Sequence, residues 1–499
     1  MSDVVAQEAS RPGMKVVGVR SKDLLSLLAG AALLFFMGWQ WNTPLAAWLA
    51  PLFLIRFFRA QEKWTTTLIA LPIIYFPLWF SVAGKWPMPL SLEFASAFTR
   101  LLPIVVALYI DRFAAQRLTG VGRYLVFPCA LVVVDFLQAM GPVGSVFSPA
   151  ATQFAITPLI QLSSITGIWG ITFLTGWFAT TGNALWESDF DLRATLKPVV
   201  IFSAVLGLVF FLGSIRTSQF RPVGETVRIG SVALDFDNPY WAEIKKANPR
   251  EGKAKNAPGF ARLIDTLYAS SDGAVAQGAK IIFWSEANAP MYEDDEEAFL
   301  DRAKQFAKDN DVYLLPGMLV LHYDQKYAQN KVVLISPQGE ILFSYEKTKT
   351  PKKSNSDGVL HFADTPYGRI SASICFDMDF PKFANQLGKQ GVDIMLVPSW
   401  DMVGIKPYHS DVGAFRAVEN GFSSVRQVVK GGSLAVDYQG NILSYQDFFT
   451  VKDATMISDV PIKGVRTFYG RFGDWLVYLC GLILLGFVLV ALRRPSKPN

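Results

Sequence analysis

Hydrophobic residues follow two different patterns along this chain. Long apolar runs fill residues 24–215 and recur at 475–492, and runs of about 20 apolar residues can cross a bilayer as helices. Between them, from about residue 226, short β-rich runs alternate with helical patterns such as EEAFLDRAKQFAKDN. The pattern therefore predicts a helical membrane domain and a separate α/β domain.

We predict about eight membrane spans, seven in the first block and one at residues 475–492. The first two segments are short and meet at QWNTP, so they could instead form one broken or re-entrant unit. The expected fold class is a polytopic α-helical membrane domain joined to an α/β domain. The seven segments of the first block lie at roughly 24–39, 45–58, 65–82, 91–110, 124–140, 156–180 and 197–215.

The charges between these segments predict the orientation of the chain. Lys and Arg are concentrated before segment one and after segments two, four, six and eight, whereas the intervening loops hold almost none. By the positive-inside rule, both termini are cytoplasmic and the α/β domain is extracytoplasmic. The first apolar run lacks a small-residue cleavage site, so we expect no cleaved signal peptide. The predicted domains are a cytoplasmic segment 1–23, a membrane domain 24–215, a catalytic domain 226–470 and a transmembrane helix 475–492.

Composition narrows the possible partners. The 499 residues are 51% hydrophobic and carry a net charge of only +5 without a long basic run, which argues against nucleic acid as a partner. Three cysteines cannot build a disulfide framework, because Cys129 and Cys480 lie in apolar segments. The three histidines, at positions 322, 361 and 409, have no HExxH-like spacing. We therefore predict no metal site and no bound cofactor.

Three strand ends of the α/β domain carry a reactive side chain. Glu286 lies near the end of the run IIFWSEA, Lys347 lies near the end of ILFSYEKTK, and Cys375 lies near the end of ISASICF. In open α/β folds, sites collect outside the carboxyl ends of strands, so the three could converge. Taken singly, each has an ordinary structural explanation: a charged residue marks the chain emerging into water, and a lone cysteine is often a buried core thiol. Lys349 is the one rival to Lys347.

Together, the three side chains form a complete set for acyl transfer. A thiol with a pKa of about 8.5 is mostly protonated at neutral pH, so its attack on a carbonyl needs a nearby base. A partly desolvated carboxylate can take that proton and return it to the leaving group. An ammonium beside it would favour the ionised carboxylate and the thiolate and could stabilise the oxyanion. The predicted catalytic residues are Glu286, Lys347 and Cys375.

The ordered segments FWSEA, SYEKTK, ICFDMDFP, MLVPSW and FRAVENG resemble the carbon–nitrogen hydrolase (nitrilase) superfamily. The resemblance implies an αββα sandwich for the α/β domain. It also implies that Glu286 is the base, that Lys347 supports the tetrahedral intermediate and that Cys375 forms a thioester, with the backbone amide of Phe376 at the oxyanion. The family pattern YxKT favours Lys347 over Lys349.

The membrane segments make nearly the whole chain similar to the apolipoprotein N-acyltransferase branch, with PLIQLSSITGIWGITFL and GSLAVDYQGNIL as further points of likeness. The resemblance implies a multi-pass, monomeric protein of the bacterial inner membrane. Such a protein takes an acyl chain from a phospholipid and passes it to an amine, the N-terminal cysteine of an apolipoprotein. Two alternatives stay open: a membrane-tethered amidase with the same three residues, and a degenerate binding or scaffold protein.

The segment after Lys347 departs from that branch. Where the acyltransferases have a loop containing a glutamate, this chain reads TPKKSNSDGVLHF. The second carboxylate is therefore absent or is replaced by Asp357. This departure affects the expected lid and acceptor site rather than the three catalytic residues.

Four further residues are expected around the site. Arg416 and Glu419 have a spacing that places them on one helix face, where we expect them to orient the fold and the lysine. Trp284 and Trp400 are expected to form walls of the pocket.

Overall fold

The computed structural model describes residues 15–16, 19–85, 89–222, 224–234, 249–325, 328–350, 354–451 and 455–494. Of the predicted cytoplasmic segment 1–23, residues 1–14 and 17–18 lie outside this description. The chain forms two compact units. The helical unit consists of Met1–Gln138, Thr172–Gly207 and Val477–Asn499, and the α/β unit consists of Ala139–Ile171 and Leu208–Leu476.

The helices within residues 21–219 and 475–492 lie on the predicted apolar segments, but their lengths differ from those of the segments. The helices within residues 249–472 belong to the α/β unit. In chain order the helices are α1 (Ser21–Phe35), α2 (Pro44–Ala60), α3 (Ala70–Phe80), α4 (Leu90–Ala115), α5 (Val121–Ala139), α6 (Thr157–Ile160), α7 (Ser163–Thr166), α8 (Trp169–Glu187), α9 (Leu192–Gln219), α10 (Pro249–Ala276), α11 (Glu296–Asn310), α12 (Pro381–Gln390), α13 (Tyr408–Asn420), α14 (Phe468–Phe472) and α15 (Trp475–Leu492).

Within the described residues, four helices are long and apolar enough to cross a membrane: α4, α5, α9 and α15. A pair bent by 115°, Thr157–Thr166 with Trp169–Glu187, raises the number to five if it forms one broken span. Helices α1 and α2 have 15 and 17 residues, which is short for a full crossing. The eight crossings therefore stay a prediction, whereas the membrane character of the helical unit is confirmed by these helices.

Small residues allow α1 and α2 to pack closely inside the helical unit. A Cβ atom on Gly30 would lie 2.8 Å from the Leu54 side chain and 3.2 Å from the Ala50 carbonyl oxygen. Such close approach is typical of helix pairs in membranes. Arg59 and Asp111 form a bidentate ion pair in this unit, with both N–O distances at 2.8 Å, which satisfies two charges that would be costly to leave unpaired.

The α/β unit contains two sheets covered by helices. Its strands are β3 (Thr226–Val232), β4 (Ile281–Trp284), β5 (Ala289–Tyr292), β6 (Tyr313–Leu315), β7 (Gly317–Leu321), β8 (Gln329–Ile335), β9 (Ile341–Glu346), β10 (Phe362–Thr365), β11 (Gly368–Ala372), β12 (Ile394–Trp400), β13 (Ser423–Val429), β14 (Gly432–Val436), β15 (Ile442–Asp447) and β16 (Thr455–Pro461), numbered after a small hairpin of β1 (Lys15–Val16) and β2 (Val19–Arg20).

The order of the larger sheet is β16-β3-β4-β6-β8-β7-β5, with β9 paired to β8, and that of the smaller is β10-β11-β12-β13-β14-β15. Helices α10 and α11 pack on the larger sheet, α13 packs on the smaller sheet beside α12, and β4 and β16 contact strands of the smaller sheet. This confirms the αββα sandwich.

Strand direction brings the predicted site residues to one edge of the sandwich. Strand β4 runs parallel to β3 and β6, and β11 and β13 run parallel to β12. Because β8 is antiparallel to both β6 and β9, strand β9 ends at the same edge as β4. The Ser285 hydroxyl joins the sheets by bonding the Ser399 and Gln427 carbonyl oxygens at 2.5 and 2.9 Å. Next to it, Gly317 packs so closely that a Cβ would lie 2.0 Å from the Ser285 carbonyl oxygen.

The boundary predicted at residue 215 differs from the observed division. Residues 139–171, expected in the membrane domain, belong to the α/β unit. The Ser145 N–H and hydroxyl donate to the Asp379 carbonyl oxygen at 2.7 and 2.9 Å, and the Ile168 N–H donates to the Glu419 carboxylate at 2.9 Å. These bonds join segments more than 200 residues apart, so an apolar pattern along the chain could not reveal them.

Candidate active site

Glu286 and Lys347 form a buried ion pair. Lys347 Nζ lies 2.6 Å from Glu286 Oε1, and the two side chains are 16% and 6% exposed. Glu286 follows β4 and Lys347 follows β9, so each occupies the strand exit that the sequence predicted. The structure thus brings these two residues together as expected.

Two further groups hold this pair. Asn330 Nδ2 donates to Glu286 Oε1 at 2.7 Å, and the Asn330 carbonyl oxygen accepts the Lys347 backbone N–H at 2.9 Å. The Trp400 backbone N–H donates to Glu286 Oε2 at 3.0 Å. Asn330 lies inside an ordinary strand pattern, QNKVVLIS, which gave no sequence signal for its role.

Cys375 lies at a sharp turn after β11. Its φ of +52° is in the left-handed region, which is costly for a residue other than glycine. It begins a short 3₁₀ turn, Cys375–Asp379, and such turns at strand ends can present a nucleophile. The thiol is 4% exposed and donates to the Trp400 carbonyl oxygen at 3.5 Å. Cys375 is therefore buried, as a core thiol would be, but it lies among charged groups.

The charges of this site act on one another. Burial and, after it, the Glu286 charge raise the pKa of Cys375 to about 12, although the charges of Lys347 and Arg426 oppose this rise. Burial lowers the pKa of the Lys347 ammonium, but the charges of Glu286, Cys375 and Asp377 outweigh burial and leave that pKa raised. The resting site therefore holds a protonated thiol beside a charged ammonium, and attack by sulfur requires the thiol proton to move to a base.

A second group of buried charges contacts the other side of the thiol. His409 lies between two carboxylates, with Nδ1 at 2.7 Å from Asp401 Oδ1 and Nε2 at 2.7 Å from Asp379 Oδ2. Arg426 Nη2 lies 3.0 Å from Asp401 Oδ1 and 3.8 Å from Cys375 Sγ. With the imidazole protonated, the four side chains form a neutral set, which we call the charge quartet (Asp379, Asp401, His409, Arg426).

The pKa values of His409 and Asp401 agree with this assignment. Burial lowers the pKa of His409, but Asp379 and Asp401 outweigh it and raise the pKa to about 9. Burial raises the pKa of Asp401, but His409 and Arg426 outweigh it and lower the pKa to about 2. The sequence analysis did not identify these residues, because they share no spacing motif between positions 379 and 426.

Cys375, Asp401 and His409 also have the chemistry of metal ligands, with their ligand atoms within 4.8 Å of one another. Arg426 Nη2 contacts all three ligand atoms, at 3.8, 3.0 and 3.0 Å, so the trio surrounds a guanidinium. The other described group of this kind lies nearer the surface and consists of Glu293, His322 and Asp324.

A second buried carboxylate that acts on Lys347 belongs to Asp377. Asp377 is fully buried and accepts hydrogen bonds from the Tyr345 hydroxyl at 2.7 Å and the Lys349 backbone N–H at 2.5 Å. Burial raises its pKa to about 6, and Lys347 opposes that rise. Asp357 instead caps its own exposed turn. Asp357 accepts the Val359 N–H at 2.9 Å and lies 3.0 Å from His361 Nε2, so its described contacts do not reach Lys347, and its replacement of the family glutamate stays a prediction.

The remaining predicted residues lie in different surroundings. Glu419 bonds the Ile168 N–H and pairs with Arg416 at 3.0 Å, so the described contacts of this pair hold residues 139–171 to the sandwich and do not reach Lys347. Trp284 is fully buried among helix side chains, with its Nε1 at 2.9 Å from Ser271 Oγ, so it is a core residue and not a pocket wall. Trp400 does lie at the site, through its backbone. No described bond involves the Phe376 amide, so its oxyanion role stays a prediction.

Comparisons with known proteins found a family, relatives and solved structures to which this chain is similar. The family described as carbon-nitrogen hydrolase matches residues 248–468. An apolipoprotein N-acyltransferase of Geobacter metallireducens is 25% identical over 452 residues, covering 83% of this chain and 82% of that protein. One from Gloeobacter violaceus is 23% identical over 482 residues, covering 91% and 87%. An amidase of the nitrilase superfamily from Nesterenkonia AN1 has 17% identity and a TM-score of 0.39, covering 52% of this chain and 98% of its own.

Proposed function

We propose that this chain, which is similar to apolipoprotein N-acyltransferases and matches the carbon-nitrogen hydrolase family over residues 248–468, is a membrane-bound acyltransferase that works through a thioester on Cys375. The observation that carries the proposal is the convergence of Glu286, Lys347 and Cys375 in one buried site. The similarity to acyltransferases extends beyond that site, because it covers 83% of the chain. The Glu–Lys–Cys roles are our assignment.

In the first half-reaction, Cys375 Sγ attacks the ester carbonyl of a phospholipid while its proton passes to Glu286. The Lys347 ammonium and the Phe376 backbone N–H stabilise the oxyanion of the tetrahedral intermediate. Glu286 then returns the proton to the departing glycerol oxygen. The products are a lysophospholipid and an acyl thioester on Cys375.

In the second half-reaction, an amine attacks the thioester carbonyl. Glu286 takes a proton from the attacking nitrogen, and the cysteine leaves as a thiol that recovers that proton. The product is an amide. We assign the amine to the N-terminal cysteine of an apolipoprotein, on the strength of the relatives' names and the family resemblance.

We place the enzyme in a bacterial inner membrane with its α/β unit on the extracytoplasmic side. The distribution of Lys and Arg between the apolar segments supports this orientation. Phospholipid and lipoprotein substrates both expose their reactive groups at a membrane surface, so a site tethered to membrane helices suits both.

The test is acyl transfer by the purified full-length protein in detergent, with a phospholipid carrying a labelled acyl chain and a peptide with an N-terminal diacylglyceryl cysteine. We expect label in the peptide as an amide, with no transfer by Cys375→Ser. Release of labelled fatty acid without peptide acylation would contradict the proposal and indicate hydrolysis by water.

A further inference from the structure

Three arginines line one open cavity of the α/β unit. Arg216 and Arg221 come from the last turn of α9 and the residues after it, and Arg466 comes from the segment before α14. The cavity has a volume of about 600 Å³, which is in the range of small-molecule sites. None of the three proposed catalytic residues lines it. We call it the arginine pocket (Arg216, Arg221, Arg466).

Hydrogen bonds fix the backbone beneath the arginine pocket. Gln439 Nε2 donates to two carbonyl oxygens at the end of α9, at 3.1 and 2.6 Å, and Gln161 Nε2 donates to the Gln439 carbonyl oxygen at 2.8 Å. Arg216 Nη1 donates to the Gln161 carbonyl oxygen at 3.5 Å. Gly213 approaches Pro158 so closely that a Cβ would lie 1.9 Å from its carbonyl oxygen. The helix end is therefore held in place before any ligand binds.

The arginine pocket has donors available and no acidic lining. Each guanidinium carries five N–H donors, and the described hydrogen bonds use one donor of each. Of the described residues that line the cavity, none is Asp or Glu, although Arg466 also lines a neighbouring cavity that contains Asp364 and Asp393, and the Asp437 charge acts on Arg216. An anion with several oxygens could therefore accept hydrogen bonds from the remaining N–H donors.

The surroundings of the pocket are typical of a membrane boundary. Exposed Ile165, Phe220 and Phe468 flank the arginines. Helix α9 and helix α15 both have the length and hydropathy of membrane spans, and α15 begins at Trp475, shortly after Arg466. The Trp475 indole N–H donates to the Ile165 carbonyl oxygen at 2.8 Å. Tryptophan is enriched at the level of the lipid headgroups, and Trp475 bonds Ile165 of the pocket lining, so this contact supports a headgroup as the ligand.

We propose that the arginine pocket binds the phosphate of an anionic phospholipid headgroup, at a second lipid site separate from Cys375. The planar guanidinium matches phosphate oxygens with two parallel hydrogen bonds. Since no carboxylate lines the pocket, nothing there would hold the ammonium of a zwitterionic headgroup. The site should therefore prefer phosphatidylglycerol to phosphatidylethanolamine.

The experiment titrates the full-length protein in detergent with phosphatidylglycerol and counts bound lipid by native mass spectrometry. Arg221→Gln and Arg466→Gln are the test variants, because both side chains are exposed. The Arg466 guanidinium also packs on Gly391 and donates to the Gly388 carbonyl oxygen at 3.2 Å, so the result for Arg466→Gln counts only if its Tm equals that of the wild type. Arg471→Gln is the matched control, an exposed arginine near the start of α15 that does not line the cavity. We expect each test variant to bind about fivefold more weakly and the control to change by less than about twofold.

Several outcomes would overturn the proposal. The proposal fails if Arg221→Gln and Arg466→Gln bind phosphatidylglycerol as tightly as the wild type does. It also fails if Arg471→Gln loses the same affinity, because that result would indicate an effect of diffuse surface charge. Displacement of the lipid by millimolar inorganic phosphate would assign the pocket to a free anion. Cys375→Ala must retain the lipid, since a loss there would place the counted lipid at the acyl-donor site. Thioester formation is measured in a separate experiment. A failure of the proposed function can therefore be distinguished from a failure of lipid binding at the arginine pocket.

Discussion

The charge quartet predicts a pH dependence of stability that can be traced to His409. Its pKa of about 9 in the folded protein lies above the ordinary value of 6.5. A raised pKa contributes stability that is complete below pH 6.5 and is lost as the pH rises through 9. The difference of roughly 2.5 pH units corresponds to about 3 kcal/mol, taken as an upper figure. Asp401 does not change charge in this window, because its pKa is about 2.

The assay is thermal unfolding of the full-length protein in detergent, followed by tryptophan fluorescence between pH 6 and pH 9.5. At about 2–4 °C per kcal/mol, the wild-type Tm should fall by roughly 6 to 12 °C across this range. His409→Gln cannot take up the proton, so its Tm should start lower and fall less with pH than that of the wild type. Between pH 7 and pH 9 the Tm of the variant should be nearly constant, because burial raises the pKa values of Asp411 and Glu419 only to about 7. The matched control is His322→Gln, which replaces a partly exposed histidine paired with Glu293 at 2.6 Å and should keep the wild-type slope.

Two results would refute this reasoning. A wild-type Tm that is constant from pH 6 to pH 9.5 would mean that His409 does not hold its proton through the two carboxylates. A His409→Gln variant with the full wild-type slope would mean that another group, such as Cys375, titrates in its place.

The other site residues lead to separate expectations. Glu286→Gln keeps the size of the side chain but removes the base, so thioester formation should fall about 100- to 10,000-fold, while Glu340→Gln in an exposed turn should leave the rate unchanged. Lys347→Ala should abolish thioester formation and Lys349→Ala should not, because the Lys349 ammonium lies over two phenylalanine rings at 4.9 and 5.5 Å; equal losses would contradict the assignment. Because burial and then the Glu286 charge raise the pKa of Cys375 to about 12, alkylation by iodoacetamide should still accelerate at pH 10, and a plateau near pH 8.5 would be inconsistent with this site.

The parts of the site that the sequence predicted lie at the ends of strands. Glu286, Lys347 and Cys375 each follow a run of apolar or alternating residues, and the carboxyl ends of such strands meet at one edge. The αββα class followed from alternating strand and helix patterns together with a family resemblance. The local sequence pattern was enough to predict these three positions, because each residue is positioned by the strand that precedes it.

The parts that the sequence did not predict depend on contacts between distant segments. His409 lies on a helix face and Asp401 after a strand, and nothing in either local pattern indicates that they meet beside Cys375. Asn330 resembles any polar strand residue, yet it holds both Glu286 and the Lys347 backbone. Trp284 was expected to form a wall of the pocket. It packs instead against Tyr268 and Ser271 of α10, a contact with a distant segment that the local pattern does not indicate.

The most direct test of the central claim is mass spectrometry of the Cys375 peptide after incubation of the purified protein with phospholipid, with and without neutral hydroxylamine. The account predicts a fatty-acyl mass on Cys375 that hydroxylamine removes and that is missing in Glu286→Gln and Lys347→Ala. A Cys375 peptide that stays unmodified across phospholipids of different headgroups would contradict a thioester acyl-enzyme formed from a lipid donor.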